Sequence, residues 1–170
     1  DDLSGTAMLQ FVLNDTLVAT DRPPGLPALD FLRRDAGLTG VKHACREGDC
    51  GSCVVLLGRL LGGQVEYSIA TSCLLPLGAL ARRHVVTIEG LNGPTLNRVQ
   101  QAFVDRGASQ CGFCTPGFVV ALTGHLLEAA SWSRPAMVEA VAGNICRCTG
   151  YGSIVRVIGD LVEHLQRSAD

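Results

Sequence analysis

The chain has 170 residues, of which 47% are hydrophobic and 18% charged, and its formal net charge is −2. This length and apolar content are enough for one sizeable core or two small ones. The acidic balance and the lack of a Lys/Arg-rich block argue against nucleic acid or an anionic membrane surface as a partner. No uncharged apolar run approaches the roughly 18 residues of a membrane span, so no direct membrane span is expected.

The start of the chain is acidic, with Asp1 and Asp2 where a secretory signal peptide would be basic. Eight cysteines are many for a chain that lacks such a signal. A reducing compartment keeps thiols unpaired, so clustered cysteines indicate metal ligands or catalytic thiols before they indicate disulfides. We expect a cytoplasmic protein, with export to the periplasm alongside a signal-bearing partner as the alternative.

The first half of the chain predicts a small α+β unit, because short alternating or β-branched runs are separated by turn residues. One stretch with Leu29 and Leu32 on a single face predicts a helix among them. In chain order, the predicted elements are a hairpin at 8–13 and 16–19, a helix ending at Gly37, strands beginning at Val54 and Val65 around a turn at 58–63, and a last strand at 85–88.

The second half predicts helices, since apolar residues recur at helical spacing in four stretches. The turn-rich segment 89–94 separates them from the first half. We assign 1–84 to the first domain, 85–94 to the last strand and linker, and 95–170 to a helical domain. The four apolar stripes are Leu96, Val99 and Phe103; Phe118, Leu122 and Leu126; Met137, Val138 and Val141; and Ile154, Val157, Ile158, Leu161 and Leu165.

The first cysteine set has the spacing of a plant-type [2Fe–2S] ferredoxin. Cys45, Cys50 and Cys53 stand in KHACREGDCGSC as C-x4-C-x2-C, and Cys73 follows in SIATSC. The two glycines of the loop let the backbone approach the sulfurs and turn its N–H groups toward them. A structural zinc site is the alternative, although zinc usually pairs two C-x2-C knuckles. A Rieske centre would need a histidine pair, and only one histidine lies nearby.

The second cysteine set lies in the helical half. Cys111 and Cys114 form a C-x2-C in QCGFCTPG, and Cys146 and Cys148 form a C-x-C in GNICRCTGY. The Thr-Pro pair after Cys114 predicts a helix N-terminus with Thr115 as its cap, where free N–H groups favour an anionic site. We interpret this set as a second [2Fe–2S] site. Zinc and a thioredoxin-like redox disulfide, which needs a βαβ setting, are the alternatives.

Both sets, in this order, resemble the iron–sulfur subunit of the molybdenum hydroxylase (xanthine oxidase) family. The resemblance extends from Leu9 to Val162 through the motifs CREGDCGSC, TSCLLP, TIEGL, QCGFCTPG and GNICRCTGY. It implies an α+β fold, with a plant-type ferredoxin-like (β-grasp) domain followed by a four-helix bundle domain. Val54 stands where the family often has Thr, and Ala44 where it often has Gly. Neither position supplies a ligand.

The resemblance also implies a role. The chain would be the electron-transfer subunit of an oxidoreductase, with no substrate chemistry and no catalytic residues of its own. A large partner subunit would bind molybdopterin and hydroxylate an aldehyde or N-heterocycle, and single electrons would pass through two [2Fe–2S] clusters to a flavin-binding subunit or another acceptor. Gln110 and Cys148 match family positions that contact the pterin. The implied ligands are Cys111, Cys114, Cys146 and Cys148 for the cluster proximal to molybdenum, and Cys45, Cys50, Cys53 and Cys73 for the distal one.

Other hypotheses are open at this point. Some relatives continue into a flavin domain on the same chain, whereas this sequence ends at Asp170. A separate flavin subunit, a fragment of a longer chain, or a different acceptor would each account for that. A free-standing two-cluster carrier or redox sensor is the second hypothesis, although a sensor normally needs an output surface such as a basic helix. A structural zinc protein is the third.

Overall fold

The computed structural model describes residues 8–128 and 132–169. These residues form a five-stranded mixed sheet in the first half of the chain and helices in the second. The architecture is therefore α+β, as the sequence predicts, and it is consistent with a ferredoxin-like [2Fe–2S] domain. The acidic start of the chain, at Asp1 and Asp2, lies outside the described residues.

The predicted first hairpin is confirmed. Strand β1 (Leu9–Leu13) pairs antiparallel with β2 (Thr16–Thr20), and Leu9 lies opposite Thr20. Asn14 takes the left-handed conformation in the turn, with φ of 56°. Asparagine tolerates this conformation because its short side chain finds polar partners nearby. Here the Asn14 Oδ1 accepts the backbone N–H of Thr87 at 2.9 Å, so the turn is fixed to the end of the sheet.

A second hairpin completes the sheet. Strands β3 (Val54–Leu61) and β4 (Gln64–Thr71) are antiparallel, and β5 (His84–Val86) runs parallel to β1 and antiparallel to β3, which gives the order β2-β1-β5-β3-β4. The predicted turn at 58–63 is too long, because β3 continues to Leu61. Gly58 is a strand residue, and a Cβ there would meet the side chains of Tyr67 and Val65 at 2.8 Å.

The last strand and the linker also differ from the prediction. Strand β5 ends at Val86, and a 3₁₀ turn over Ile88–Leu91 replaces the rest of the predicted strand. In that turn, Glu89 Oε1 accepts the backbone N–H of Gly40 at 2.6 Å, and Oε2 accepts the Thr87 hydroxyl at 2.7 Å. The segment after the sheet is therefore bound to the loop that precedes the first cysteine set.

One face of the sheet is covered by a short, irregular helix. Helix α1 (Ala28–Asp30) continues as a π-helical turn over Phe31–Asp35, so the predicted helix is present but wider in its second turn. Leu29 and Leu32 are buried as predicted. The ring of Phe31 packs edge-on against Phe11 of β1, with centroids 5.8 Å apart. These contacts belong to the core of the first half.

Four helices follow, close to the predicted stretches: α2 (Arg98–Asp105), α3 (Thr115–Glu128), α4 (Arg134–Ala140) and α5 (Gly152–Ala169). Two stripe residues are wrongly predicted. Asn97 caps α2 through a capping box with Gln100, so Leu96 lies outside the helix and is exposed. Val138 of α4 is also exposed, whereas Met137 is fully buried.

Helix α3 connects the two halves. It packs against α2 and α4 on one side and against β3 and β4 on the other. Phe118 and Leu122 belong to the core among the helices, whereas Val120 packs with Val54 and Leu56 of the sheet. An apolar helix between two layers needs apolar residues around most of its circumference. Within residues 8–128 and 132–169, no helix is long and apolar enough to cross a bilayer.

Candidate metal centres

The four cysteines of the first set lie on the loop before β3 and just after β4, and we call them the loop site. Cys45 Sγ lies 3.3 Å from Cys50 Sγ. Cys53 and Cys73 are buried, and their thiols hydrogen-bond to each other. Ser72 ties the two segments together, since its backbone N–H and its hydroxyl both donate to the Cys53 carbonyl at 3.2 and 2.7 Å. The loop site thus consists of two thiol pairs.

In the loop site, the surroundings favour ionisation of one thiol and oppose ionisation of another. A backbone N–H of Glu47, 3.4 Å from the Cys45 sulfur, is the main cause that lowers the pKa of Cys45 to about 7. Burial raises the pKa of Cys53 to about 11. Backbone N–H groups stabilise negative charge on sulfur, and burial in apolar surroundings disfavours it unless a cation is bound.

Backbone conformation brings the loop around these sulfurs. Gly48 and Gly51 have φ of 85° and 66°, in the left-handed region that glycine adopts without strain. Arg46 has φ of 61° without being glycine. Its guanidinium contacts both carboxylate oxygens of the buried Asp30, at 2.5 and 3.4 Å. That ion pair, which the sequence did not reveal, holds the strained residue next to Cys45.

The four cysteines of the second set we call the helical site. Cys111 Sγ and Cys148 Sγ are 3.6 Å apart and both residues are exposed. Cys114 and Cys146 form the inner pair, through a hydrogen bond between their side chains. Burial, followed by the contact with Cys146, raises the pKa of Cys114 to about 12. The helical site therefore repeats the arrangement of two thiol pairs.

Polar groups from the segment before α5 surround Cys146. Its sulfur lies 3.1 Å from the Thr149 hydroxyl and 3.5 Å from the Thr149 backbone N–H. Burial alone would raise the pKa of Cys146, but hydrogen bonds from Thr149, Cys148 and Cys114 together outweigh it and the pKa falls to about 7. The Cys146 backbone N–H donates to the Tyr151 hydroxyl at 2.9 Å. Tyr151 itself has φ of 65°.

The start of α3 lies one residue earlier than predicted. Thr115 is the first helical residue and Pro116 the second, and the Cys114 carbonyl accepts the N–H of Phe118 at 3.2 Å. The cap position therefore falls on Cys114, and the Thr115 hydroxyl instead contacts Ser109 at 2.9 Å. The predicted helix N-terminus is nevertheless next to the thiols, where its free N–H groups favour negative charge.

The two sites touch through their backbones. Ile145, which precedes Cys146, donates its N–H to the carbonyl of Cys50 at 3.0 Å. The side chain of Asn144 donates to the carbonyl of Gly51 at 3.0 Å and is buried. Sequence analysis placed Asn144 only within the motif GNICRCTGY. Its place two residues before a cysteine was the available signal for a larger role.

Gln110 lies in the loop before α3, next to Cys111, and both are exposed. Among the described residues, no three His, Cys, Asp or Glu side chains come together closely enough to hold a single metal ion. What the chain offers in each site is four thiols as two close pairs. Four thiols in two pairs, with backbone N–H groups directed at sulfur, suit a centre with two irons, each bound by two cysteines.

Comparison with known proteins agrees with two iron–sulfur domains. Residues 11–76 match the family described as "2Fe-2S iron-sulfur cluster binding domain", and residues 87–159 match the "[2Fe-2S] binding domain". The chain is 40% identical to aldehyde oxidase 2 of Cavia porcellus over 89% of its own length, and 39% identical to xanthine dehydrogenase of Emericella nidulans over 86%. It spans only 12% and 11% of those two relatives.

Among solved structures, one similar chain has nearly the same length as this one. The quinoline 2-oxidoreductase structure from Pseudomonas putida 86 includes a chain that is 33% identical, with a TM-score of 0.78 over 94% of this chain and 96% of that one. Aldehyde oxidoreductase from Desulfovibrio gigas gives a TM-score of 0.81 at 33% identity, over 95% of this chain and 17% of that one.

Two [2Fe–2S]-binding domains are thus present in one chain. The chain belongs to the molybdenum hydroxylase (xanthine oxidase) family of oxidoreductases, of which it is an iron–sulfur region.

Proposed function

We propose that this chain carries electrons between a molybdopterin-binding subunit and an acceptor, and that the eight cysteines are its iron ligands. When bound, each [2Fe–2S] cluster takes up and releases one electron at a time. The observed thiol pairs support a division of the ligands by iron. In the loop site, Cys45 and Cys50 would hold one iron; in the helical site, Cys111 and Cys148 would. The remaining ligand pairs are Cys53 with Cys73 and Cys114 with Cys146.

The observation that carries the proposal is the hydrogen bond from Ile145 to Cys50. It joins the backbone of one ligand segment directly to that of the other, at 3.0 Å. Two separate structural metal sites would have no need of such a junction, whereas a carrier needs its two centres close and rigidly spaced. The contact between Asn144 and Gly51 fixes the same junction from a second direction.

Exposure supports an order of transfer. Cys111, Cys148 and the neighbouring Gln110 are exposed, so a partner can reach the helical site from outside. We propose that the large molybdopterin-binding subunit binds here, with Gln110 and Cys148 next to the pterin, and that electrons then pass to the loop site. A flavin-binding subunit or another acceptor would take them from there.

Several finer assignments belong to the same proposal. The helices α2 to α5 would constitute a four-helix bundle domain over 95–170, after a β-grasp domain over 1–84 and a connecting segment over 85–94. A cytoplasmic location is proposed because the eight cysteines form no disulfides with one another.

The first test is the metal content of the protein purified from its host with any bound partners. About four irons and four acid-labile sulfides per chain are expected, as two [2Fe–2S] clusters require. Molybdenum should co-purify on a large subunit. The same iron in a stable monomer without molybdenum would support a free-standing carrier instead, and zinc with little iron would refute electron transfer.

The second test concerns the order of transfer. In the complex, Cys50→Ser should leave the helical site reducible by substrate while turnover with the physiological acceptor falls. Cys148→Ala should instead impair reduction at the helical site. Undiminished turnover of the Cys50→Ser complex would refute the proposed order. Electron paramagnetic resonance after substrate addition gives the readout for each site separately.

A further inference from the structure

Asp30 is a buried carboxylate beside the apolar core of the first half. It lies at the end of α1, and its residue surface is 9% exposed. A buried charge needs a partner, because its removal from water is unfavourable. That partner is Arg46, whose guanidinium contacts both carboxylate oxygens, whereas Arg34 approaches one of them only to 3.9 Å from the surface.

Arg46 belongs to the loop site rather than to the core. It stands between Cys45 and Glu47, and its φ of 61° is a conformation that L-residues rarely adopt. The backbone N–H of Leu29, next to Asp30, donates to the carbonyl of Ser72 at 3.0 Å. The ion pair of Asp30 with Arg46 therefore also lies close to the far ligand segment of the loop site.

We propose that Asp30 positions the Arg46 guanidinium beside the loop site, and that this fixed positive charge raises the reduction potential there. The inference rests on the proposed function, since it presumes a [2Fe–2S] cluster at the loop site. Four thiolates and two sulfides around two ferric ions carry a net negative charge, and reduction adds one more. A nearby cation stabilises the reduced form more than the oxidised form.

The consequence is directional. The described residues within hydrogen-bonding distance of the helical-site sulfurs are neutral groups of Thr149 and other cysteines. A positive charge held beside the loop site makes electron movement from the helical site toward the loop site more favourable. Free arginine side chains sample many rotamers, so the buried carboxylate is what keeps the charge in one place. Asp30 is therefore a positioning residue and Arg46 supplies the field.

The test is a potentiometric titration of the purified complex, followed by the electron paramagnetic resonance signals of the two clusters. Arg46→Gln should lower the midpoint of one signal and leave the other unchanged. Arg46→Lys should restore most of the loss, because it returns the charge. Arg106→Gln is the matched control, since it removes an arginine with a two-point contact to Asp160 in the helical half, and it should shift neither midpoint.

A double-mutant cycle tests the positioning role separately. In the Arg46→Gln background, Asp30→Asn should raise the loop-site midpoint, because only a negative charge is removed. With Arg46 present, the same substitution should raise it less, because the arginine is released as the carboxylate is lost. Equal shifts in the two backgrounds would overturn the positioning role of Asp30.

The outcomes separate this inference from the proposed function. Two [2Fe–2S] signals whose midpoints are the same in the unmodified and Arg46→Gln complexes would overturn the role of Arg46 alone. If Arg46→Gln does not retain iron at the loop site, a failure of Arg46→Lys to hold the original midpoint overturns it instead. An unmodified chain that contains zinc and little iron refutes the proposed function, and the inference with it.

Discussion

Gly51 lies where the loop site packs closely against the helical half of the chain. Its φ is 66°, and its carbonyl accepts the side chain of Asn144 at 3.0 Å. A Cβ at this position would lie 2.5 Å from the Asn144 Nδ2 and 2.7 Å from the carbonyl oxygen of Gly143. Only glycine therefore satisfies the turn of the cysteine loop and the approach of the other half at the same time.

Gly51→Ala should destabilise the protein and loosen the loop site. We expect a loss of about 1 to 3 kcal/mol in the free energy of unfolding, because the new methyl group adds a backbone clash to the conformational strain. Gly62→Ala is the matched control: its φ is 56°, and a Cβ there has nothing within 4 Å. The unfolding temperature and the iron content should both fall further for Gly51→Ala than for Gly62→Ala. Equal losses in the two variants would contradict a role for the contact with Asn144.

At the residue scale, sequence analysis identified what local spacing encodes. The cysteine sets are recognisable because iron binding needs cysteines at fixed short separations. The ion pair of Asp30 with Arg46 and the contact of Asn144 with Gly51 span 16 and 93 positions. No periodicity or turn rule connects residues so far apart, so these contacts required the fold.

At the scale of elements, α3 shows why a glycine can be needed in the middle of a helix. Gly124 faces the sheet, where a Cβ would lie 2.7 Å from Leu56 Cδ2 and 3.1 Å from Ile69 Cγ1. Leu56 is buried and has little room to move. The glycine lets the helix lie close to β3 and β4, which keeps the two halves of the chain together.

Gly124→Ala and Gly159→Ala should change stability in opposite directions. Alanine favours a helix over glycine by about 0.5 to 1 kcal/mol. At Gly159 of α5 a Cβ has nothing within 4 Å, so we expect stabilisation of that size. At Gly124 overpacking of about 1 to 3 kcal/mol should exceed the gain. Urea unfolding of the two variants measures the difference; stabilisation by both would show that α3 can move away from the sheet without loss.

An ion pair whose strength depends on pH joins the C-terminal end of α2 to α5. Arg106 contacts both carboxylate oxygens of Asp160, and this hydrogen bonding lowers the pKa of Asp160 below its usual 3.8. A carboxyl whose folded pKa lies below its unfolded pKa contributes stability above the unfolded value and loses it as pH falls through the folded one.

Asp160→Asn should therefore destabilise the protein at neutral pH and have no effect in strong acid. Because both side chains are partly exposed, the expected loss at pH 7 is small, about 0.2 to 1 kcal/mol. The difference in unfolding temperature between the variant and the unmodified chain should shrink as pH falls below 4. A difference that persists unchanged in acid would mean that Asp160 acts through packing and not through its charge.

The elements themselves were largely predictable, and their ends were not. Both hairpins and all four helices lie where periodicity and turn residues place them. The errors occur where tertiary contacts override local preference. Gly58 lies within β3 and not in a turn, because the side chains of Tyr67 and Val65 fill the space beside it that a Cβ would need. Leu96 lies outside α2 because Asn97 caps the helix immediately after it.

At the scale of the whole molecule, two cysteine sites on different halves of the chain must keep a fixed spacing. Three features of the described structure maintain it: the packing of α3 on the sheet, the Glu89 contact with Gly40, and the junction at which residues 144 and 145 meet residues 50 and 51. The junction alone involves residues next to ligands on both sides. It therefore fixes the distance between the two sites most directly.

Asn144→Ala should slow electron transfer between the sites without removing any ligand. The substitution leaves the Gly51 carbonyl without its donor in a buried place, which costs about 1 to 3 kcal/mol and weakens the adjacent bond from Ile145 to Cys50. After rapid mixing of the complex with substrate, freeze-quenched samples should show prompt reduction at the helical site and delayed reduction at the loop site. Asn92→Ala, which removes an exposed acceptor of the Gln100 side chain, should show no delay. If Asn144→Ala retains both clusters and transfers electrons at the original rate, the spacing of the sites does not depend on this junction, and the packing of α3 on the sheet must be sufficient to maintain it.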